Sequence, residues 1–145
     1  LCDAFYIGGT KVGALFGEAV VVLNKDIKMS KGSIKNRGAL LAKGWLLGLQ
    51  FDTLFTDDLY LKIAKNGVDQ AMRIRKAIEA KGYPIYLDST TNQQFVVFED
   101  SKVAELAKYV VFNCIEKEGT THSVVRFATR WATTDEQVDK QLSHL

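Results

Sequence analysis

The residues best placed to do chemistry come early in the chain, in Asp3-Ala4-Phe5-Tyr6-Ile7-Gly8-Gly9-Thr10-Lys11, where a lysine follows an apolar run and is held between Gly8, Gly9 and Gly13. A lysine at a strand end in a tight turn of small residues is positioned to be desolvated and aimed. Burial favours its neutral, nucleophilic form, which covalent amine chemistry needs. Against this stands the ordinary expectation that a loop lysine is solvated. The turn is not the phosphate loop of nucleotide hydrolases, which needs four residues between its glycines and a Ser or Thr directly after the lysine, where Val12 stands here. Thr10 either offers its hydroxyl to a bound anion or bonds its own backbone.

Three further candidates carry charge. Arg126 lies in the apolar run Val124-Val125-Arg126-Phe127-Ala128, and its planar fork suits either a structural salt bridge or a bound carboxylate gripped through two parallel hydrogen bonds. Lys35 and Arg37 precede Gly38 at the expected start of a helix, whose free backbone amides attract anions; a solvated basic loop is the alternative. His122, beside a Gly-Thr-Thr turn, reads as a surface residue, and His144 as part of a disordered end. Cys2 and Cys114 are far apart, with no neighbouring Cys or His at metal-ligand spacing, so no metal site is expected and a reducing, cytoplasmic setting fits.

The elements that must position these groups follow from periodicity. Ala4 to Ile7 and the valine-rich Ala14 to Leu23 read as two buried strands flanking the Lys11 turn. Asn24 to Ser33 loses periodicity and predicts a surface loop or domain connection. From Gly38 to Phe55 apolar residues occupy almost every face, which predicts a long helix buried on most sides, at a domain or subunit interface. Asp57 and Asp58 are expected to cap the next helix, whose apolar positions Leu61, Ala64, Val68, Ala71, Ile74 and Ile78 keep helical spacing until Gly82. Strands follow at Ile85 to Leu87, Phe95 to Phe98, Val110 to Asn113 and Val124 to Ala128. A helix is expected over about Ser101 to Tyr109, and a final one starts at Thr134, which makes a capping box with Gln137. The second half therefore predicts a small α/β sandwich of three or four strands with helices on one face.

Composition narrows the classes. At 145 residues, 47% apolar and 25% charged, the chain is long enough for one domain with a real core. A net charge of +2 with interspersed signs offers no basic block for nucleic acid. No apolar stretch approaches the roughly 20 residues of a membrane helix, so a membrane partner is not expected. The chain opens on Leu1, and its first residues already read as a strand interior, which predicts a piece of a longer chain.

Taken together, Gly8-Gly9-Thr10-Lys11-Val12-Gly13-Ala14-Leu15-Phe16-Gly17-Glu18, Lys35-Asn36-Arg37-Gly38-Ala39-Leu40-Leu41-Ala42-Lys43-Gly44, Thr91-Asn92-Gln93-Gln94-Phe95 and Val125-Arg126-Phe127-Ala128-Thr129-Arg130-Trp131-Ala132-Thr133 resemble, in order and spacing, the carboxyl-terminal half of the low-specificity threonine aldolases. These belong to the beta-eliminating-lyase group of fold-type I pyridoxal-phosphate enzymes, and the resemblance covers essentially the whole chain. It implies an α/β fold, namely the end of the large domain plus the small α/β sandwich domain of an aspartate-aminotransferase-like enzyme. Residues 1–33 would end the large cofactor-binding domain, and residues 34–145 would form a linking helix and the small domain. It also implies a lyase that splits threonine into glycine and acetaldehyde. Lys11 would form the Schiff base with pyridoxal 5'-phosphate, Arg126 would hold the substrate carboxylate, and Thr10 and Lys35 would lie near the cofactor phosphate. The implied partners are a small amino-acid substrate and further copies of the chain, as a dimer or tetramer.

Two departures belong with the resemblance. The family has a polar residue where this chain has Val12. The family's glycine-rich phosphate loop, pyridinium-pairing aspartate and ring-stacking side chain lie upstream of these residues, which predicts little or no activity for the chain alone. The alternatives are a beta-eliminating lyase acting on another amino acid and a non-catalytic anion-binding or assembly module built on the Lys11 turn and the apolar helix.

Overall fold

The structure, a computed structural model, describes residues 1–145 and is a mixed α/β chain of two compact units, Leu1–Lys62 and Ile63–Leu145. No helix is long and apolar enough to cross a membrane.

In the first unit, strand β1 (Ala4–Gly8) pairs antiparallel with β2 (Glu18–Val22) in a register running from Ala4 opposite Val22 to Gly8 opposite Glu18. The expectation that both strands are buried is corrected, since Phe5, Tyr6 and Val20 are exposed. A two-stranded ribbon has no neighbouring strands to share, and Phe5 and Tyr6, which point to opposite faces, are both left exposed. Helix α1 (Lys31–Asn36) begins inside the expected loop because Ser30 caps it: the Ser33 amide donates to Ser30 Oγ at 3.0 Å. Gly38, at φ 74°, then ends α1, with its amide donating to the Lys35 carbonyl and the Ala39 amide to that of Ile34. The long helix expected from Gly38 is therefore shortened to α2 (Trp45–Phe55). It buries only Phe51 and Leu54, leaving Trp45, Leu46 and Leu49 exposed, not buried on most sides as the apolar pattern predicts.

Asp57 and Asp58 do not cap the next helix through their side chains. Both adopt left-handed backbone (φ 51° and 57°) in the turn after α2, a conformation that aspartate tolerates better than most residues. Helix α3 (Leu59–Ala80) follows with the expected spacing, except that Leu61 is exposed, and stops before Gly82, at φ 78°.

The second unit is an antiparallel sheet of four strands, β3 (Ile85–Leu87), β4 (Gln93–Glu99), β5 (Asn113–Glu118) and β6 (His122–Ala128), in the order β3-β4-β6-β5. The last two strands in sequence are joined through Gly119 at φ 69°. Its helices are α3, α4 (Asp100–Leu106) and α5 (Asp135–Leu142). Strict alternation on β4 turns Val96 and Phe98 to one face, where they meet Ile74 and Ile78 of α3, Leu106 of α4, Val125 and Phe127 of β6 and Val138 of α5. Tyr83 and Phe127 meet Phe98 edge-on, with ring centroids 4.7 and 6.3 Å away. The predicted sandwich with helices on one face is thus present.

Gly67, in the middle of α3, has a packing reason: a Cβ there would lie 3.3 Å from the Arg130 carbonyl carbon. Thr129 Oγ1 also donates to the Gly67 carbonyl at 2.5 Å. The capping box forms as expected, with the Gln137 amide donating to Thr134 Oγ1 and the Thr134 amide to Gln137 Oε1. The strand expected at Val110 to Asn113 lies later, as β5, whose residues are all exposed. Apolar content favours the segment before it, but Val110 and Phe112 pack against the core as a connection instead. His144 is ordered by stacking on Tyr109, with centroids 4.2 Å apart and planes at 5°, in place of the expected disorder.

Candidate functional site

The Lys11 turn is built by its glycines and by Val12. After β1, Thr10–Val12 form a single 3-10 turn, in which the Gly9 carbonyl accepts from the amides of Val12 and Ala14, both at 3.0 Å. Gly13 closes the turn in left-handed backbone at φ 100°. Gly9 cannot be larger, because a Cβ there would lie 2.6 Å from Ala14 Cβ and 3.1 Å from Phe51 Cζ. Val12 is 5% exposed and anchors the turn inward. An apolar residue after the lysine is therefore a packing choice here. Two polar contacts fix the flanks: Tyr60 Oη donates to the Gly8 carbonyl at 2.9 Å, and the Leu15 amide donates to Gln50 Oε1 of α2 at 2.7 Å.

This framework turns Thr10 and Lys11 outward. Both are exposed, so the desolvation expected of Lys11 is not present within this chain. The neighbours that crowd the turn pack on Gly9 and Val12 and leave the lysine side chain uncovered. The Thr10 hydroxyl and the Lys11 amine form no hydrogen bond or ion pair with the rest of the chain, so two adjacent donors are free on a turn of fixed shape.

Lys35 is placed otherwise than expected. It sits in the last turn of α1, not before a helix start, because Gly38 ends one helix and does not begin another. Its charge there complements the carbonyl end of α1, so the expected attraction of a helix amino-terminus does not operate. No hydrogen bond or ion pair joins it to Thr10 or Lys11. Arg37 is the residue just past the end of α1.

Arg126 lies on β6 in the second unit, opposite Phe95 of β4 and Asn113 of β5. It faces away from the helices, since its neighbours Val125 and Phe127 belong to the core. Its Nη2 donates to Asn113 Oδ1 at 3.1 Å, its Nε is buried without a partner, and it forms no ion pair with any carboxylate. Of the two uses open to a strand arginine, the structural salt bridge is therefore absent. A guanidinium held by a neutral amide keeps its full charge, and a buried unpaired N–H is a donor awaiting an acceptor. The structure thus brings Thr10 and Lys11 together on one turn and holds Lys35 on α1 apart from them. His122 is half-buried rather than at the surface, paired in the sheet opposite Glu99 and Glu118, and its one side-chain hydrogen bond joins Nδ1 to Thr121 Oγ1 at 3.0 Å.

Residue spacing did not point to Asn113, whose contact with Arg126 depends on strand order. Nor did it point to Tyr86 and Glu116. Tyr86 Oη donates to Glu116 Oε1 at 2.5 Å, and that hydrogen bond pushes the tyrosine's pKa upward.

No protein-family model and no curated protein matches the chain. Among solved structures, that of the threonine aldolase of Leishmania major is similar to it. The TM-score is 0.89 and the sequence identity 36%, over 97% of this chain and 42% of that chain. The chain thus spans about two fifths of the length of that aldolase.

Proposed function

We propose that this chain is part of a pyridoxal-phosphate-dependent lyase that cleaves the Cα–Cβ bond of β-hydroxy amino acids, turning threonine into glycine and acetaldehyde. The observation that carries this reading is the likeness, at 36% identity across nearly the whole chain, to a threonine aldolase. In this reading the fold is of fold-type I, with residues 1–33 ending the cofactor-binding domain and residues 34–145 forming the linking helix and small domain.

The residues present fit the group. Lys11 offers a free amine on a turn that Gly9 and Val12 hold in shape, with the free Thr10 hydroxyl beside it. Lys11 would hold the cofactor covalently, with its neutral amine as nucleophile toward the aldehyde. Thr10 would donate to the phosphate, and Lys35 would contribute positive charge. Bound there, pyridoxal phosphate supplies an electron sink for the bond that breaks. Arg126 would grip the substrate carboxylate, and Asn113 would hold the guanidinium without neutralising it. Fixing the carboxylate in this way orients the Cα–Cβ bond. The bond cleaves as the β-hydroxyl loses its proton and Cα gains one.

The chain alone is expected to show little or no turnover, and robust retro-aldol activity of the isolated 145 residues would overturn that expectation. The exposed Trp45, Leu46 and Leu49 on α2 support association of copies as a dimer or tetramer. The free cysteines suit a cytoplasmic setting.

The test is borohydride reduction in the presence of pyridoxal phosphate, followed by peptide mapping. The reduced adduct is expected on Lys11 and absent in Lys11→Ala. A cofactor-loaded protein in which Lys11→Ala still carries the adduct would overturn the assignment.

A further inference from the structure

The four-stranded sheet has one face under helices and one without them, and the open face carries Arg126. Tyr86 and Glu116 come from β3 and β5, which are the two outer strands, so their hydrogen bond must pass over β4 and β6. Beneath that bridge lies Val124, which is fully buried although its side chain points away from the core that Val125 joins. The bridge itself stays exposed to solvent on the open face.

Its position relative to Arg126 follows from the register. Glu116 lies opposite Val124 on β6, and Arg126 is the next residue of β6 on that same face, opposite Asn113. In a regular ladder such diagonal neighbours are about 7–8 Å apart, within reach of each other when both side chains are long; here the register is irregular between Cys114 and Glu116, on the β5 side of that diagonal. A glutamate and an arginine so placed are natural ion-pair partners, yet they do not pair, and Glu116 is instead bound by Tyr86.

We propose that Tyr86 is a positioning residue that holds the Glu116 carboxylate across the open face and off Arg126, keeping the guanidinium free for the carboxylate of an amino-acid substrate. The inference rests on the assignment of Arg126 made above and goes beyond it by naming what protects that residue from its own neighbour. The raised pKa of Tyr86 agrees with a hydroxyl held as donor to a carboxylate. Glu118, the next acidic residue of β5 on this face, raises it further.

The test is made in the complete, cofactor-loaded protein with Tyr86→Phe, which removes only the hydroxyl. Glu116 is then expected within ion-pair distance of Arg126 in the crystal structure of the variant. KM for the amino acid should rise about fivefold, the scale of one partly exposed ion pair, with kcat little changed. Adding Glu116→Gln to Tyr86→Phe should restore KM, which a purely structural defect would not allow. An unmoved Glu116 in the Tyr86→Phe crystal structure, or a KM that the double variant fails to restore, overturns the proposal. Arg126→Lys separates the two levels. If it leaves KM unchanged, the substrate role of Arg126 fails and the proposal falls with it. If it raises KM while Tyr86→Phe does not, only the role given to Tyr86 is overturned.

Discussion

Residues 1–62 and residues 63–145 treat apolar side chains in opposite ways. The first unit buries Val12, Phe51 and Leu54 and leaves Phe5, Tyr6, Leu15, Val20, Trp45 and Leu49, among others, in contact with solvent. The second buries Ile74, Ile78, Val96, Phe98, Val125 and Val138 in one core, and Val124, at 0% exposure, on the other face of the sheet. Similar hydrophobic content therefore does different things. In the second unit it closes a core and holds Arg126 on a rigid strand. In the first it shapes one turn around Gly9 and Val12 and leaves Lys11 on the surface. Apolar burial is concentrated in the second unit, whereas the nucleophile candidate lies in the first.

The sharpest way to break that contrast is a pair of truncations compared by urea unfolding. Phe98→Ala, in the packed core, is expected to lose about 3–5 kcal/mol. Leu49→Ala, on the exposed side of α2, should change the stability of the isolated chain by no more than about 0.5 kcal/mol. Equal losses would erase the distinction.

A second pair of changes sets the two close-packed glycines against each other. Gly67→Ala faces the Arg130 backbone at 3.3 Å, so the helix propensity gained, about 1 kcal/mol, is offset by strain, and a net loss of about 1 kcal/mol is expected. Gly9→Ala meets Ala14 Cβ at 2.6 Å and should deform the Lys11 turn with less effect on global stability. The readout is backbone chemical shifts of Thr10 and Lys11 beside the unfolding midpoint. An undisturbed turn in Gly9→Ala would show that Gly9 does not shape it.

Smaller effects refine the second unit. Thr134→Ala removes the α5 cap and is expected to cost about 1 kcal/mol in thermal unfolding. Asp100 accepts from Lys117 and Ser123, and these bonds, Lys117 first, hold its carboxyl below its ordinary value of 3.8. Because the folded chain favours the carboxylate, this contribution is complete above the unfolded pKa and is lost as pH falls through the lower folded one. Lys117→Ala should therefore flatten the acid limb of stability against pH. An unchanged limb would mean that the pair contributes nothing.

What could be read in advance was local. The spacing of Ala64, Val68, Ala71, Ile74 and Ile78 marks α3 because a buried helix face must repeat with the helical period. Thr134 and Gln137 mark the start of α5 because a capping box needs only four consecutive residues. Ile85–Leu87 is legible as a strand because Pro84 and a polar turn from Ser89 bound a short apolar run. The failures were matters of context. Valine richness in β2 predicts burial, but nothing within residues 1–62 covers Val20. Gly38 reads equally as the start of one helix or the end of another, and only the amide bonds to Ile34 and Lys35 decide. At the site, the Lys11 turn was legible from its glycines, whereas its exposure was not. The partners of Arg126 and the Tyr86–Glu116 bridge depend on strand order, which residue spacing does not encode.

The exposed strand β5 has a consequence for the life of the protein in a crowded solution. As an outer strand of the sheet it presents a row of backbone donors and acceptors that another extended chain could join. Its sequence, Asn-Cys-Ile-Glu-Lys-Glu, carries alternating charge along its second half and an irregular register between Cys114 and Glu116. Any incoming strand would have to match those charges and follow that kink. The same short segment that contributes Asn113 and Glu116 to the open face therefore also sets what could pair along the outer edge of the sheet.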